Sequence, residues 1–397
     1  MTSIATADPS GIEERVSVAR WFGVAAVALG TFAVVTSEQL PVGLLTSVSS
    51  DLNISEGTAG LMVTVPGLVA SATAPLLPVA IGRLDRRHVL LGLITLMIGA
   101  NLLSALAPNF AVLLISRLLI GIAIGGFWSL AAGIAVRMVP EAFVPKATAI
   151  AFGGATAANV LGIPAGTLIG ELTDWRIAFG LLGGLGLIVV AGLLWLLPAL
   201  PADTPVHLRT LAEQFAKPVV RTGVLVTFLL VSGHFAAFTF AGPIVESHMG
   251  IDRSLLGPVL LGFGIAGIIG NFATGVATGR NVRATIIAIS VALASVLVLI
   301  GLIGGNPATG IVLMIVWGLS FGGIPVGVQT WILRAAPESA EAATALNTSV
   351  FNLAIALGAL FGGLVANSLT STAVLWFGAA LSALASVAVL TTRPAHD

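Results

Sequence analysis

Charge is what this chain has least of. Only 9% of its 397 residues are charged and 57% are hydrophobic, with a mean hydropathy of +1.07. A soluble protein of this length needs far more charge to cover its surface. The formal net charge is zero, which excludes a basic face for nucleic acid. Cysteine is absent, so disulfides and thiolate metal sites are excluded. There is no Gly-x-x-x-x-Gly-Lys-Ser/Thr stretch for P-loop hydrolysis of ATP, and no His-Glu-x-x-His metal motif. The first 19 residues carry Asp8, Glu13 and Glu14 with little apolar content, and do not read as a signal peptide.

What the chain has is apolar runs, each of about 20 residues, enough to cross a bilayer. The runs predict twelve helices over 20–48, 58–82, 88–107, 110–138, 145–171, 176–200, 220–248, 255–280, 283–304, 307–333, 340–369 and 371–392. The expected organisation is a cytoplasmic tail over 1–19, a six-helix bundle over 20–200, a linker over 201–219 and a second six-helix bundle over 220–393. The linker carries Pro201, Pro205, Arg209, Glu213 and Lys217. With the amino terminus inside, fourteen of the 17 Lys and Arg residues fall on the cytoplasmic side; only Arg176 and Arg253 fall outside, and Arg117 lies within a helix. This positive-inside bias predicts both termini in the cytoplasm. Glycine, at 47 residues, suits membrane helices packed through small side chains.

The halves match at one offset of 197 residues. It carries Gly82-Arg83 onto Gly279-Arg280, Gly121 onto Gly318, Gly125-Gly126 onto Gly322-Gly323, and Gly166 onto Gly363. Arg137, Pro140 and Glu141 fall on Arg334, Pro337 and Glu338. The expected fold is therefore an all-α membrane protein of twelve transmembrane helices in two parallel six-helix repeats. Such repeats, related by an axis along the membrane normal, are the architecture of the major facilitator superfamily, with substrate held between the halves near the midplane.

Local motifs carry the same resemblance. Arg117-Leu-Leu-Ile-Gly121, followed by Gly125-Gly126-Phe127-Trp128-Ser129, resembles the fourth-helix motif of proton-driven major facilitator exporters. Gly162-Ile-Pro164-Ala-Gly166, with Gly170 beyond, resembles a variant of the antiporter motif on the fifth helix. Asp174-Trp175-Arg176 resembles the boundary before the sixth. Ser37 to Leu45 resembles the first helix of the sugar-efflux and purine-nucleoside-efflux branch of the drug:proton antiporter family. Gly125 to Ala147 and Trp317 to Leu333 look most like purine ribonucleoside efflux pumps, whereas Gly233 to Phe238 and Ala336 to Gly362 look about as much like sugar efflux transporters. One departure stands out: Gly82-Arg-Leu-Asp85-Arg86-Arg87-His88 is one residue shorter than the family's loop after the second helix.

Charge inside a membrane is expensive and marks function. Glu38 lies 17 residues past Trp21, about 25 Å from the cytoplasmic boundary. Arg117 lies 8 residues past Asn109, about 12 Å below the outer one. The first and fourth helices line the cavity in this fold, so the two can approach. Burial disfavours a carboxylate's charge and a nearby cation favours it, so a group under both influences can bind a proton in one state and release it in another. The alternative is a fixed structural pair, with Arg117 holding helices through backbone carbonyls. His234, which the offset pairs with Ser37, can relay a proton or bind solute, or be an ordinary buried histidine.

Candidate solute contacts are Gln39, Trp128, Phe235, Phe238, Gln329 and Trp331, since aromatic faces stack on planar groups and amides fix polar edges. Helix packing or lipid contact is the plainer use of each aromatic. Asp85, Arg86, Arg137, Gly162, Pro164 and Gly166 are the candidate gate residues. The resemblance implies a monomeric, proton-coupled exporter in a bacterial inner membrane. It uses no cofactor beyond the proton gradient, and its partners are a small-molecule substrate, protons and lipid. Purine nucleosides rank first as substrate, then sugars and unrelated drugs, with an importing symporter or facilitator as the alternative. An embedded enzyme would need Glu38, Arg117 and His234 to form an active site, and the expectation is that the chain is not an enzyme.

Overall fold

The computed structural model describes residues 17–140, 143–201, 213–336 and 340–392. Most of the expected tail and linker, and positions 141 and 337–338 of the repeat, lie outside them. Among the described residues twelve helical crossings follow one another. The first six are α1 (Val18–Asp51), α2 (Leu61–Ile81, led in by the turn Glu56–Ala59), α3 (Arg86–Ala105), α4 (Phe110–Arg137), α5 (Val144–Ala157, then Ile163–Leu172) and α6 (Trp175–Leu196). The last six are α7 (Pro218–Phe238), α8 (Leu256–Arg280), α9 (Val282–Ile303), α10 (Pro307–Ala335), α11 (Ala340–Ser368) and α12 (Ala373–Thr391). Among the described residues eleven helices are long and apolar enough to span a membrane. The twelfth crossing, α5, reaches that length when its two pieces and the π-turn Ala158–Gly162 between them are taken as one rod.

Local chemistry sets the ends. Asp85, Asp174, Asn281 and Asn306 cap α3, α6, α9 and α10, each accepting a first-turn N–H at 2.7–3.0 Å. The expected α6 ran to residue 200 but ends at Leu196, because Leu197 precedes Pro198 and is extended, as a residue before proline prefers. The expected seventh helix ran to residue 248, but regular helix stops at Phe238. It resumes as Ala241–Pro243 and the π-turn Ile244–His248, since Pro243 has no N–H to continue the ladder. The π-turn in α5 has the same origin: Pro164 cannot bond the Val160 carbonyl, and the Ile163 N–H reaches back to Ala158 instead.

The repeat is visible in the packing. On α4, Arg117, Gly121 and Gly125 meet Met62, Pro66 and Ala70 of α2, one helical turn at a time. On α10, Gly318 and Gly322 meet Phe263 and Gly267 of α8, each pair displaced by the same 197 residues. Glycine is required on both seams because backbone meets backbone there.

The end where α1 begins and α12 finishes is the proximal end, and the opposite end is distal. The first six crossings meet the last six through α1 against the α7 extension, α5 against α8, and α2 against α11. Thr46 and Val42 face Gly242, Pro164 and Leu168 face Gly257, and Asn352 and Ala356 face Gly67. The contacts at Gly242, at Gly257 and between Gly57 and Asn367 lie at the distal end.

Candidate functional site

Arg117 is fully buried. Its Nη2 donates to the Ser37 carbonyl of α1 at 2.7 Å, and its Nε donates to the Met62 carbonyl of α2 at 3.2 Å. Its guanidinium carbon lies 5.7 Å from the centre of the Phe179 ring, and Nη1 has no hydrogen-bond partner. Next to Ser37 on α1 is Glu38, 7% exposed. Glu38 and Arg117 attract one another through space, yet no salt bridge joins them. The structure thus brings together the two intramembrane charges without pairing them. Glu38 lies one turn before Val42, on the α1 face that meets Gly242 of the opposite six. Around this junction Ser37 Oγ donates to Asn101 Oδ1 at 3.0 Å, and Asn101 Nδ2 donates to the Met97 carbonyl at 3.1 Å. Gln39 follows Glu38, 8% exposed, and its Oε1 has no partner.

His234, on α7, has neighbours of a different kind. It is fully buried in rings from α7, α8 and α10: Phe235, Phe238, Phe263, Trp317 and Phe321. Phe321 stacks on it with centroids 3.7 Å apart. Trp317 Nε1 donates to Nδ1 at 3.1 Å, which puts the proton of the neutral ring on Nε2, and Nε2 has no partner. Its ring contacts and hydrogen bond reach no carboxylate. Phe235 and Phe238 pack into the same cluster.

The remaining candidates are dispersed. Trp128 is half-buried, edge-on to Phe127 at 6.5 Å. Gln329 donates to Thr344 Oγ1 at 2.8 Å and accepts from Asn347 Nδ2 at 3.3 Å, so both ends of its amide are engaged by α11. Trp331 donates to the Val219 carbonyl at 3.1 Å and ties α10 to the first turn of α7.

Asp85, Arg86 and Arg137 converge on the end of α6. Asp85 accepts from Leu200 N at 3.0 Å and Arg87 N at 2.8 Å. Arg86 N donates to the Leu200 carbonyl at 3.0 Å, Arg137 donates to the Pro201 carbonyl at 2.7 Å, and Arg87 bonds the Leu194 carbonyl. Partial burial pushes the Asp85 carboxyl up. The N–H groups of Leu200 and Arg87, with the charges of His88 and Arg87, outweigh that and hold it below its ordinary value of 3.8. A lowered carboxyl stabilises the fold above its ordinary pKa, and that stabilisation is lost as pH falls through the lowered value. Asp85→Asn is therefore expected to melt lower than the parent at pH 6 and to lose less on acidification to pH 3. Parallel melting curves in detergent check this, and identical pH dependence of the two proteins would refute it.

Gly162 and Gly166 face α1: a Cβ on Gly166 would lie 2.6 Å from Leu40 Cδ1, and one on Gly162 would lie 3.0 Å from Phe32 Cζ. Pro164 faces α8, with its carbonyl toward Gly257. One turn of α5 therefore touches its own six crossings on one side and the other six on the next.

Sequence reasoning missed one constellation. Arg253, just before α8, forms an ion pair with Glu171 at the end of α5 and a hydrogen bond with Ser47 of α1. Ser47 Oγ also donates to Glu171 Oε1 at 2.7 Å. The three close the distal seam between the two sets of six. The one signal available was Arg253 itself, an arginine on the side that has almost none.

The profile of the Major Facilitator Superfamily matches residues 27–359. The chain is 37% identical over 378 residues to a transcription regulatory protein, OpdE, of Pseudomonas aeruginosa, covering 94% of each chain. It is 34% identical over 369 residues to the purine ribonucleoside efflux pump NepI of Shigella sonnei, covering 93% of each. Among solved structures, a bacterial homologue of the human lysosomal transporter Spinster, inward-facing and unoccupied, superposes with a TM-score of 0.72 at 14% identity, covering 96% of this chain and 100% of that one. The human organic anion transporter MFSD10 gives 0.69 at 16%, covering 93% and 99%. At those identities the likeness is one of fold.

Proposed function

The chain belongs to the Major Facilitator Superfamily, and from that premise we propose that it exports a small solute, a purine nucleoside or related compound first, in exchange for protons. The observation that carries proton coupling is the pair of buried unlike charges, Glu38 and Arg117, held close but unpaired, with Nη1 free of any partner. A charged Glu38 attracts that nitrogen, and a proton on Glu38 cancels the attraction. A proton taken up or released at α1 thus changes the force between α1 and α4. Gln39, the next residue on α1, is buried with an amide oxygen that has no partner, which suits a donor on the solute. The name of the relative from Shigella sonnei supports a purine nucleoside as cargo.

We take the two sets of six as bundles that rock about the solute, joined by residues 201–219, in a monomer with both termini in the cytoplasm of a bacterium. On that placement the distal seam is the outer gate, closed here by Arg253, Glu171 and Ser47. Asp85, Arg86 and Arg137 brace the inner end of α6 where the linker begins. Because the chain has no cysteine, a single introduced thiol reports on the gate alone. Val42→Cys, fully buried against the seam, is expected to resist a polar maleimide in the parent. Adding Arg253→Gln is expected to raise its labelling rate about tenfold, as a difference of roughly 1.4 kcal/mol in gate closure would. Equal labelling with and without Arg253 would show that the ion pair does not hold the gate.

The direct test of function is proteoliposome transport of labelled inosine, arabinose and a cationic dye, with the pH gradient imposed in each direction. Accumulation of inosine only when the proton gradient opposes its movement supports antiport of a nucleoside. Accumulation of arabinose or dye would replace the substrate, and co-directional movement would replace antiport by symport.

A further inference from the structure

We infer that Arg117 is a positioning residue whose guanidinium replaces the two backbone hydrogen bonds that Pro41 and Pro66 remove. In an α-helix the carbonyl of residue i accepts from the N–H of residue i+4. Proline has no N–H. Pro41 lies inside α1 and strips the Ser37 carbonyl of its donor; Pro66 lies inside α2 and strips the Met62 carbonyl. These are the two carbonyls that Arg117 bonds, at 2.7 and 3.2 Å. In hydrocarbon such a carbonyl must find a partner within the protein. One planar cation reaches both at once from two nitrogens held in a fixed fork, whereas an ammonium would have to serve both from one nitrogen on a longer, freely rotating stem. The same rule recurs at a third site: Pro75 strips the Ser71 carbonyl of α2, and Ser349 of α11 donates its hydroxyl there at 2.8 Å.

The consequence is mechanical. The proline positions of α1 and α2 are tied to one side chain of α4, one turn above the point where Gly121 meets Pro66. The tie fixes where the backbone carrying Glu38 sits relative to α4, and it leaves Nη1 as the nitrogen without a backbone duty. Arg117 therefore acts through α1 and α2, whatever the solute. Only the pH profile below rests on the transport reading.

The test is a mutant cycle on the full chain in detergent, read as the midpoint of thermal unfolding. Arg117→Met is expected to lower the midpoint by about 5 °C or more. Pro41→Ala with Pro66→Ala restores both N–H groups, so the triple variant is expected to regain at least half of that loss. Independent, additive effects of the arginine and the prolines would overturn the inference. If Arg117→Met yields no monodisperse protein, the yield becomes the readout. The triple variant must then recover it, and failure to do so counts against the inference equally. Arg117→Lys keeps the charge but offers one nitrogen. It is expected to lower the midpoint and to displace the pH profile of gradient-driven uptake. A parental midpoint and profile in Arg117→Lys would show that charge alone matters and would overturn the inference. The two readings fail separately. Coupling in the unfolding cycle without any pH-driven uptake by the parent removes the transport reading alone. Uptake by the parent with additive unfolding effects removes the positioning role alone.

Discussion

Glu38→Gln is expected to leave the protein inserted and folded while abolishing uptake driven by a pH gradient in inverted vesicles. Glutamine preserves the shape of the side chain, and Glu38 makes no ion pair whose loss would leave Arg117 stranded. The guanidinium keeps its bonds to the Ser37 and Met62 carbonyls, so the junction of α1, α2 and α4 persists. What disappears is a titratable group in a medium where placing a charge costs about 3 kcal/mol or more. The residual rate with an imposed gradient should fall to that without one. Exchange of labelled for unlabelled solute, which needs no net proton movement, should survive. The combination separates coupling from folding and from solute binding. Gradient-driven uptake at the parental rate would remove Glu38 from the mechanism.

Gly121→Val is expected to be among the most damaging single substitutions in the first six crossings. A Cβ there would lie 2.6 Å from the Pro66 carbonyl oxygen, 2.7 Å from Val69 Cβ and 2.9 Å from Pro66 Cα. Two of those three atoms are backbone and have no rotamer to escape into. Overpacking in a dense core costs about 1–3 kcal/mol where side chains can yield, and more where they cannot. The displaced segment of α2 also carries Met62, so Arg117 would lose one of its two anchors. The expected outcome is little or no monodisperse protein after extraction. Gly92→Ala is the control: outside its own helix backbone no atom lies within 4 Å of where its Cβ would be, and it should express and melt like the parent. A Gly121→Val protein that melts like the parent would mean that α2 and α4 can part without cost. The equivalent seam predicts the same sensitivity at Gly318, whose Cβ would meet the Phe263 backbone.

Much of the architecture was legible because a bilayer imposes one demand on every crossing. A helix needs about 20 apolar residues, and that count places α1 to α12 within a few positions. The exceptions, the end of α6 and the interrupted end of α7, are places where proline decides the backbone, at Pro198 and Pro243. The glycine repeat was legible for the same kind of reason. Only glycine lets two backbones touch, so Gly121 with Gly125 and Gly318 with Gly322 mark a seam whichever helix meets it. The surroundings of the solute candidates were not legible. An amide or an indole shows in a sequence, but its partner does not. Gln329 is engaged by Thr344 and Asn347, and Trp331 by the Val219 carbonyl.

From its sequence alone, this chain determined its family, its all-helical crossings, its repeat and its two intramembrane charges. Those properties depend on residue type and on spacing along one strand of chain. Three things waited for the tertiary structure. They are the pair of carbonyls that Arg117 serves, the box of rings that encloses His234, and the latch of Arg253 on Glu171 and Ser47. Carbonyls carry no residue identity, and Arg253 and Ser47 lie 206 residues apart in the chain. A hydrogen bond acts over about 3 Å, so its partners exist only once the helices have been brought side by side.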